Sequence, residues 1–221
     1  MADAATMQGG VASDADRRDL TSAVREAILR GDFAPEQRLI EADLGERYGV
    51  SRAAVRTALL HLVGEGLVER LPNKGARVRS ISVAEAIEIV EVRIGLESLV
   101  ARKAAELVTD EEAEELRRLR ADLLAAVAAG NLMEYARLNP LMDERLRAMS
   151  RHTTAVQLLE RLRAQSARHQ FRLAFHPGRA AQSAPEHVAI IDAVLAHDPD
   201  AAEAATRAHL DGIVRILRTL R

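Results

Sequence analysis

Cysteine and tryptophan are absent from the 221 residues, and aromatic side chains make up only 2% of them. A chain without thiols forms no disulfide and offers a metal no thiolate. With so few rings, the core has to be built from Ala, Leu, Val and Ile. That favours packed helices over a β-sandwich, whose strands draw on aromatic and β-branched residues. No apolar run approaches the roughly 18 residues of a membrane span. Residues 1–16 are rich in Ala, Gly and Asp and lack the basic and apolar regions of a signal peptide. The expectation is a disordered tail on a cytoplasmic protein with no membrane partner.

The chain also lacks a strong overall charge: its formal net charge is −2. The distribution is more telling. Residues 17–80 hold 12 Arg/Lys against 9 Asp/Glu, leaving +3 there and −5 on the remainder. A mildly basic N-terminal part joined to an acidic C-terminal part fits a nucleic-acid-binding module linked to something else.

Leu44 to Leu62 is the most informative stretch that is present. Leu44 and Tyr48 give one apolar face, and Gly49 is a natural helix stop. Val50 fills the turn and Ser51 is a good N-cap for the next helix. Val55, Leu59 and Leu62 recur at helical spacing and give that helix a buried side. Arg52 and Arg56, four apart, share a face near its positively polarised N-terminus. A surface helix with two solvated arginines would show the same pair. A recognition helix needs this arrangement, with cations and small polar groups aimed at base edges and phosphates. After Gly66, two short β-prone runs flank Leu71-Pro72-Asn73-Lys74-Gly75, which reads as a basic hairpin, a wing with Lys74 at its turn. Upstream, Leu20 to Arg30 reads as a first helix with Val24, Ile28 and Leu29 inward.

From about Ser80 the chain is helical almost to its end. Breaks fall near Thr109, Gly130–Asn131, His152–Thr153, Pro177–Ser183 and Asp198–Pro199, which gives six helices. Thr109 with Glu112 is a capping box. Asp198 before Pro199 is an N-cap with Pro at N1. On a helical wheel, polar residues interrupt the inward faces. His209 lies among Ala202, Ala205, Ile213, Ile216 and Leu217. His187 is centred on Ile190, Ile191 and Val194. Asn139 and Asp143 fall on or beside the stripe Leu132, Tyr135, Met142, Leu146 and Met149. Gln165, Ser166 and His169 follow Leu158, Leu159 and Leu162.

A single core histidine is most often a hydrogen-bonded structural residue, and Asn139 before Pro140 reads equally as the cap of a restarted helix. Two inward histidines with a carboxylate on a third face suggest a metal or a polar ligand pocket. Imidazole plus carboxylate suits Zn, Ni or Mn. Arg93 and Glu97 lie off their helix's solvent stripe. They read either as an ion pair in a crowded helix or as a cavity arginine whose fork holds a ligand carboxylate.

The run V-S-R-x-x-V-R-x-A-L, the following E-G-L-V and the K-G wing resemble the GntR superfamily of bacterial transcription regulators. Glu91–Glu97 (E-V-R-x-x-L-E), Glu186–Val194 (E-H-x-x-I-x-D-A-V) and His209-Leu210 resemble the FCD effector domain of its FadR-like branch, in the six-helix, VanR-like version. The fold expected is mostly α: a disordered tail (1–16), a winged helix-turn-helix (17–79) and an all-α six-helix bundle effector domain (80–221). The resemblance implies a homodimer on a palindromic double-stranded DNA operator, contacted by Ser51, Arg52, Arg56 and Lys74. A small organic acid would bind among Arg93, Gln165, Ser166 and His169 and release it, as for a repressor. It further implies a divalent metal at Asn139, Asp143, His187 and His209. The chain departs from the family pattern there: Met142-Asp143 stands in place of Phe-His, and Asn139 where Asp is common. Ala42 also stands where the family often has an arginine on DNA. Two other readings compete. One is a metal-dependent hydrolase using Asp143, His187 and His209, against which stand the missing nucleophile elbow, phosphate loop and spaced general base. The other is a structural helical dimer.

Overall fold

The computed structural model describes residues 14–71, 75–174 and 178–219, with the backbone alone for 14–19 and 167–174. The chain divides into two compact units, Met1–Ser80 and Ile81–Arg221. The first contains α1 (Asp14–Arg30), β1 (Arg38–Leu39), α2 (Glu41–Tyr48), α3 (Arg52–Gly64), β2 (Val68–Leu71) and β3 (Gly75–Val78). The second is formed by α4 (Val83–Leu107), α5 (Asp110–Ala128), α6 (Leu132–Ser150), α7 (Thr153–Ala174), α8 (Arg179–Leu195) and α9 (Pro199–Leu217).

Local signals set most helix ends. Gly49 takes a left-handed φ of 66° and stops α2, a conformation that glycine adopts without strain. Ser51 then caps α3, its Oγ accepting the Ala54 N–H at 3.2 Å. The Thr109/Glu112 capping box opens α5, and Asp198 caps α9 with Pro199 at its first turn.

In the first unit, β3 lies between β1 and β2 in an antiparallel sheet, with Val68 opposite Val78 and Arg38 opposite Arg77. Val24, Val55, Leu62 and Val68 are buried in its core. In the second unit α4 packs against α6, α7, α8 and α9, while α5 closes over α6 and α8. Ala101, Ala104 and Ala105 on α4 are buried, and such small side chains let neighbouring helices approach closely. No helix among the described residues is long and apolar enough to cross a membrane.

Several expectations are corrected. The tail proposed for residues 1–16 falls outside the described residues as far as 13, but Asp14–Asp16 are already helical. Acidic residues suit a helix's positive N-terminal end. Strand β1 has no counterpart among the expected elements; Leu39 is buried there and pairs across to Ala76. On α1, Ala27 is buried and Leu29 exposed; Leu132 and Leu158 are also exposed. The break expected at 177–183 ends sooner, since α8 starts at Arg179 and runs through Pro185. Helix α6 likewise runs through Pro140, so Asn139 does not cap a restarted helix. On α9 the buried stripe is Ala202, Thr206, Leu210, Val214 and Leu217, which moves His209 to its edge and puts Thr206 inside.

Leu123 on α5 is fully buried in the second unit's main cluster. Leu123→Ala is expected to destabilise that unit by about 2–5 kcal/mol, through lost transfer energy and the cavity left behind. Urea unfolding followed by far-UV circular dichroism measures this; an unchanged midpoint would mean that α5 does not close the core.

Candidate functional site

In the first unit, α2, the Gly49 turn and α3 form the helix-turn-helix. Arg52 opens α3 and Arg56 follows one turn later; both are exposed. The Arg56 guanidinium is held by Glu41 at the start of α2, with Nε donating to Oε1 at 3.1 Å and Nη2 to Oε2 at 2.9 Å. That two-point contact fixes the fork and leaves Nη1 outside it. Lys74 lies outside the described residues.

The second unit holds a polar interior built on α4, α6, α7, α8 and α9. Two clusters make it up. In the first, Arg93 on α4 is 4% exposed and donates to Glu97 one turn on, from Nε at 2.8 Å. The pair is an i,i+4 ion pair, and its arginine is buried. Arg163 on α7 donates from Nη1 to Asp143 Oδ2 on α6 at 2.6 Å and lies 4.0 Å from Glu97. Burial pushes the Asp143 carboxyl up, but the charge and hydrogen bond of Arg163, with His187 and Arg93, together outweigh it and hold the group down at about 2. A narrow cleft beside this cluster is lined by Glu97, Asp143, Arg147, Arg163, Leu159 and Thr206.

The second cluster joins α6, α8 and α9. The Tyr135 hydroxyl meets Ser183 Oγ and lies 3.1 Å from His187 Nδ1. His187 Nε2 faces His209 Nε2 at 3.3 Å. His209 Nδ1 is 2.8 Å from Glu186 Oε2, which also accepts from Arg179 Nη2 at 3.0 Å. One assignment of protons satisfies the whole chain. Ser183 donates to Tyr135, Tyr135 to His187 Nδ1, His187 Nε2–H to His209 Nε2, and His209 Nδ1–H to Glu186. This is a choice of tautomers made from the hydrogen-bond network. It keeps His187 neutral, and burial, then the neighbouring His209, push its pKa from 6.5 down to about 3.

The site residues expected from sequence therefore separate. His187 and His209 come together, whereas Asp143 turns to Arg163. Asn139 is half-buried within α6. Among the described residues no three His, Asp or Glu side chains form a group that could hold a metal ion. The donors present do not fit the divalent ion implied by the resemblance. They amount to two neutral imidazole nitrogens that already bond each other, and a carboxylate already neutralised by a guanidinium. The hydrolase alternative loses its centre for the same reason. Ser166 is buried, its hydroxyl donating to the Leu162 carbonyl at 3.0 Å; Gln165 is half-buried beside it. Neither is among the residues lining the cleft. His169 lies in α7 beyond the side chains described.

Sequence reasoning missed Arg163, Arg179, Ser183 and Thr206 as site residues. Thr206 was recoverable, since it stands midway between the inward Ala202 and Leu210. Arg179 precedes Glu186 by seven residues, hence two turns on the same face. Nothing in the sequence distinguished Arg163 from other surface-like arginines.

Residues 17–78 match the bacterial regulatory proteins of the gntR family, and residues 88–212 match the FCD domain. The chain belongs to the GntR family, in its FCD-containing form. It is 31% identical over 202 residues to the HTH-type transcriptional repressor GlaR of Escherichia coli, covering 85% of this chain and 89% of that one. The transcriptional repressor RspR of the same organism is 27% identical over 198 residues, covering 90% and 87%. Escherichia coli McbR/YncC shares the fold with a TM-score of 0.74 at 22% identity, covering 92% of this chain and 97% of its own. A GntR regulator from Rhodococcus sp. RHA1 does so at 0.70 and 20%, covering 94% and 99%. The chain is a DNA-binding transcription regulator, not an enzyme.

The His187 shift sets a pH dependence. A histidine whose pKa is depressed in the folded state leaves the unfolded chain binding more protons between the two values. Its contribution is full above pH 6.5 and is lost as pH falls toward about 3. Stability of the second unit is expected to decline over that window, and His187→Gln to flatten the decline. Denaturant midpoints measured from pH 7 down to pH 4 decide it; parallel curves for the two proteins would place His187's titration elsewhere.

Proposed function

We propose that this regulator is a homodimeric repressor that leaves a palindromic operator when a small organic acid enters its helical unit. The observation that carries the DNA half is the geometry at the start of α3. Ser51 caps the helix, and Arg52 and Arg56 stand one turn apart on its exposed N-terminal end, where the helix dipole favours anions. In this reading Ser51, Arg52 and Arg56 contact base edges and phosphates in the major groove, with Lys74 reaching phosphate or minor groove from the wing. Glu41 holds the Arg56 fork by two atoms, so Arg56 meets DNA in a preset orientation. One recognition helix covers only a few base pairs, and two-fold pairing is the commonest way to double the readout. The printed names of GlaR and RspR, both repressors, favour repression over activation.

The ligand half rests on the arginine-rich interior of the second unit. A buried guanidinium with an unpaired N–H group is a ready partner for a carboxylate. DNA and ligand must each prefer a different arrangement of the protein, because a ligand shifts an equilibrium only by its differential affinity.

Arg52→Ala is expected to weaken binding to an operator selected in vitro by about 1–3 kcal/mol, the discrimination carried by a bidentate base contact. Fluorescence anisotropy over a salt series measures it. Unchanged affinity together with an unchanged salt slope would sink the docking scheme. Light scattering at micromolar concentration is expected to give a dimer with and without operator, and a monomer under both conditions would remove the palindromic reading.

A further inference from the structure

Glu41 is an acid set among the exposed cations Arg52, Arg56 and Arg70 of the first unit. It opens α2, and Arg56 reaches back to it from α3. Two atoms of each side chain meet, Arg56 Nε donating to Oε1 at 3.1 Å and Nη2 to Oε2 at 2.9 Å. The hydrogen bond from Arg56, with the charges of Arg56, Arg52 and Arg70, outweighs burial and holds the Glu41 carboxyl below its ordinary range. The group is therefore ionised at neutral pH.

Stability does not account for the pair. Arg56 is 67% exposed and Glu41 29%, and an ion pair in water contributes little to folding. Nor does a DNA interface ask for an acid as such, because a carboxylate beside a polyanion weakens attraction to every phosphate. The contact matters for what it does to the guanidinium, a planar fork of five N–H groups. Glu41 takes the edge formed by Nε and Nη2. The edge left is formed by Nη1 and the second N–H of Nη2, two parallel donors at the tip of the side chain. They match O6 and N7 of guanine in the major groove, the two acceptors that one arginine reads together.

Phosphate and base compete for such an edge, and the acid separates them. A phosphate brings its own negative charge and is repelled by Glu41. A guanine edge is neutral, so it leaves the cation unbalanced once the interface expels water, and Glu41 supplies the balance. Loss of water also strengthens the attraction between Glu41 and Arg56. The same carboxylate thus disfavours a phosphate and favours a base.

We propose that Glu41 is a positioning residue for sequence recognition: by holding the Nε–Nη2 edge of Arg56 it commits the Nη1–Nη2 edge to one guanine of the operator half-site and keeps that side chain off phosphate. This rests on α3 being the recognition helix and adds which residue sets a base preference there.

The test uses the full chain. An operator is selected in vitro with the wild-type protein, and each half-site position is then changed in turn. Fluorescence anisotropy gives the affinity for each duplex, and for one of random sequence, over a salt series. Arg56→Ala is expected to lose the preference for one guanine. Glu41→Gln keeps the size but loses the charge and one acceptor. It is expected to reduce the preference for that same guanine by roughly three- to tenfold, a part of what a bidentate contact discriminates. The other positions should keep their preferences, and affinity for the random duplex should rise, most at low salt. Glu41→Asp, which keeps the charge on a shorter side chain, should fall between. In the Arg56→Ala background Glu41→Gln should change no base preference, and its denaturant midpoint should match that of its parent.

Equal gains on the selected and random duplexes, with the guanine preference kept, would describe an acid that merely repels DNA and would overturn the proposal. So would a change of preference that persists without Arg56, since Glu41 would then touch a base itself. Preferences lost at every position together with a lowered unfolding midpoint would make Glu41 a brace for the fold, and the proposal falls. If Arg56→Ala removes a guanine preference and Glu41→Gln does not, the proposal falls and the recognition helix stands. If Arg56→Ala alters neither affinity nor preference, both fall.

Discussion

A guanidinium removed from water has to find carboxylates, and the interior of the second unit is arranged around that requirement. Arg93 and Arg179 are almost wholly buried, and Arg163 is nearly so. Each is met by an acid: Glu97 one turn along α4, Asp143 across on α6, Glu186 two turns along α8. Two of these pairs are local to a helix and one ties α6 to α7. The histidines fall into place behind them. Glu186, already oriented by Arg179, receives His209, and His209 in turn faces His187. A buried ion pair is weak evidence for net stability, because desolvation offsets the attraction. Its effect is on arrangement: once the arginines are inside, few rearrangements leave every charge with a partner.

The first unit obeys a different constraint. Its decisive feature is backbone geometry at Gly49 and Ser51, where a left-handed residue ends α2 and a side-chain cap begins α3 two residues later. This short turn aims the N-terminal end of α3 outward while Val55, Leu59 and Leu62 stay buried. Glu41 then adds an electrostatic detail, because it pairs with Arg56 across the turn. Acidity at the start of α2 thus fixes the orientation of a base on α3.

Much of this architecture was legible in the amino-acid order, for physical reasons that differ by feature. Helix ends are local, so Gly49, Ser51, Thr109 and Asp198 could be read directly. Helix count followed from periodicity and from those caps. The inward placement of Arg93, His187 and Asp143 could be read on a wheel, since a polar residue among apolar ones at helical spacing has nowhere else to point. What resisted reading were partners across helices. Asp143 paired with Arg163 rather than with the two histidines, and the separation of 20 residues carries no periodic signal. Strand β1 was missed because two residues are too few to show alternation; β3 completes it from outside. The faces of α1 and α9 were read about one position off, which exposed Leu29 and concealed Thr206. An error of that size matters little for the fold and much for the site, because it moves a hydroxyl from solvent to cleft.

The same residue type serves both units in opposite ways, and burial makes the difference. On α3, Arg56 is 67% exposed and its charge is screened by water and salt, so its use is in meeting a polyanion whose many phosphates act together. In the second unit, screening is weak and every unit of charge counts. There the Asp143 carboxylate and the Arg163 guanidinium satisfy each other at 2.6 Å, and removing either partner of such a buried pair leaves an uncompensated charge. An imidazole at position 143 would leave Arg163 without its closest acid. The residue at position 143 thereby decides which partner Arg163 has.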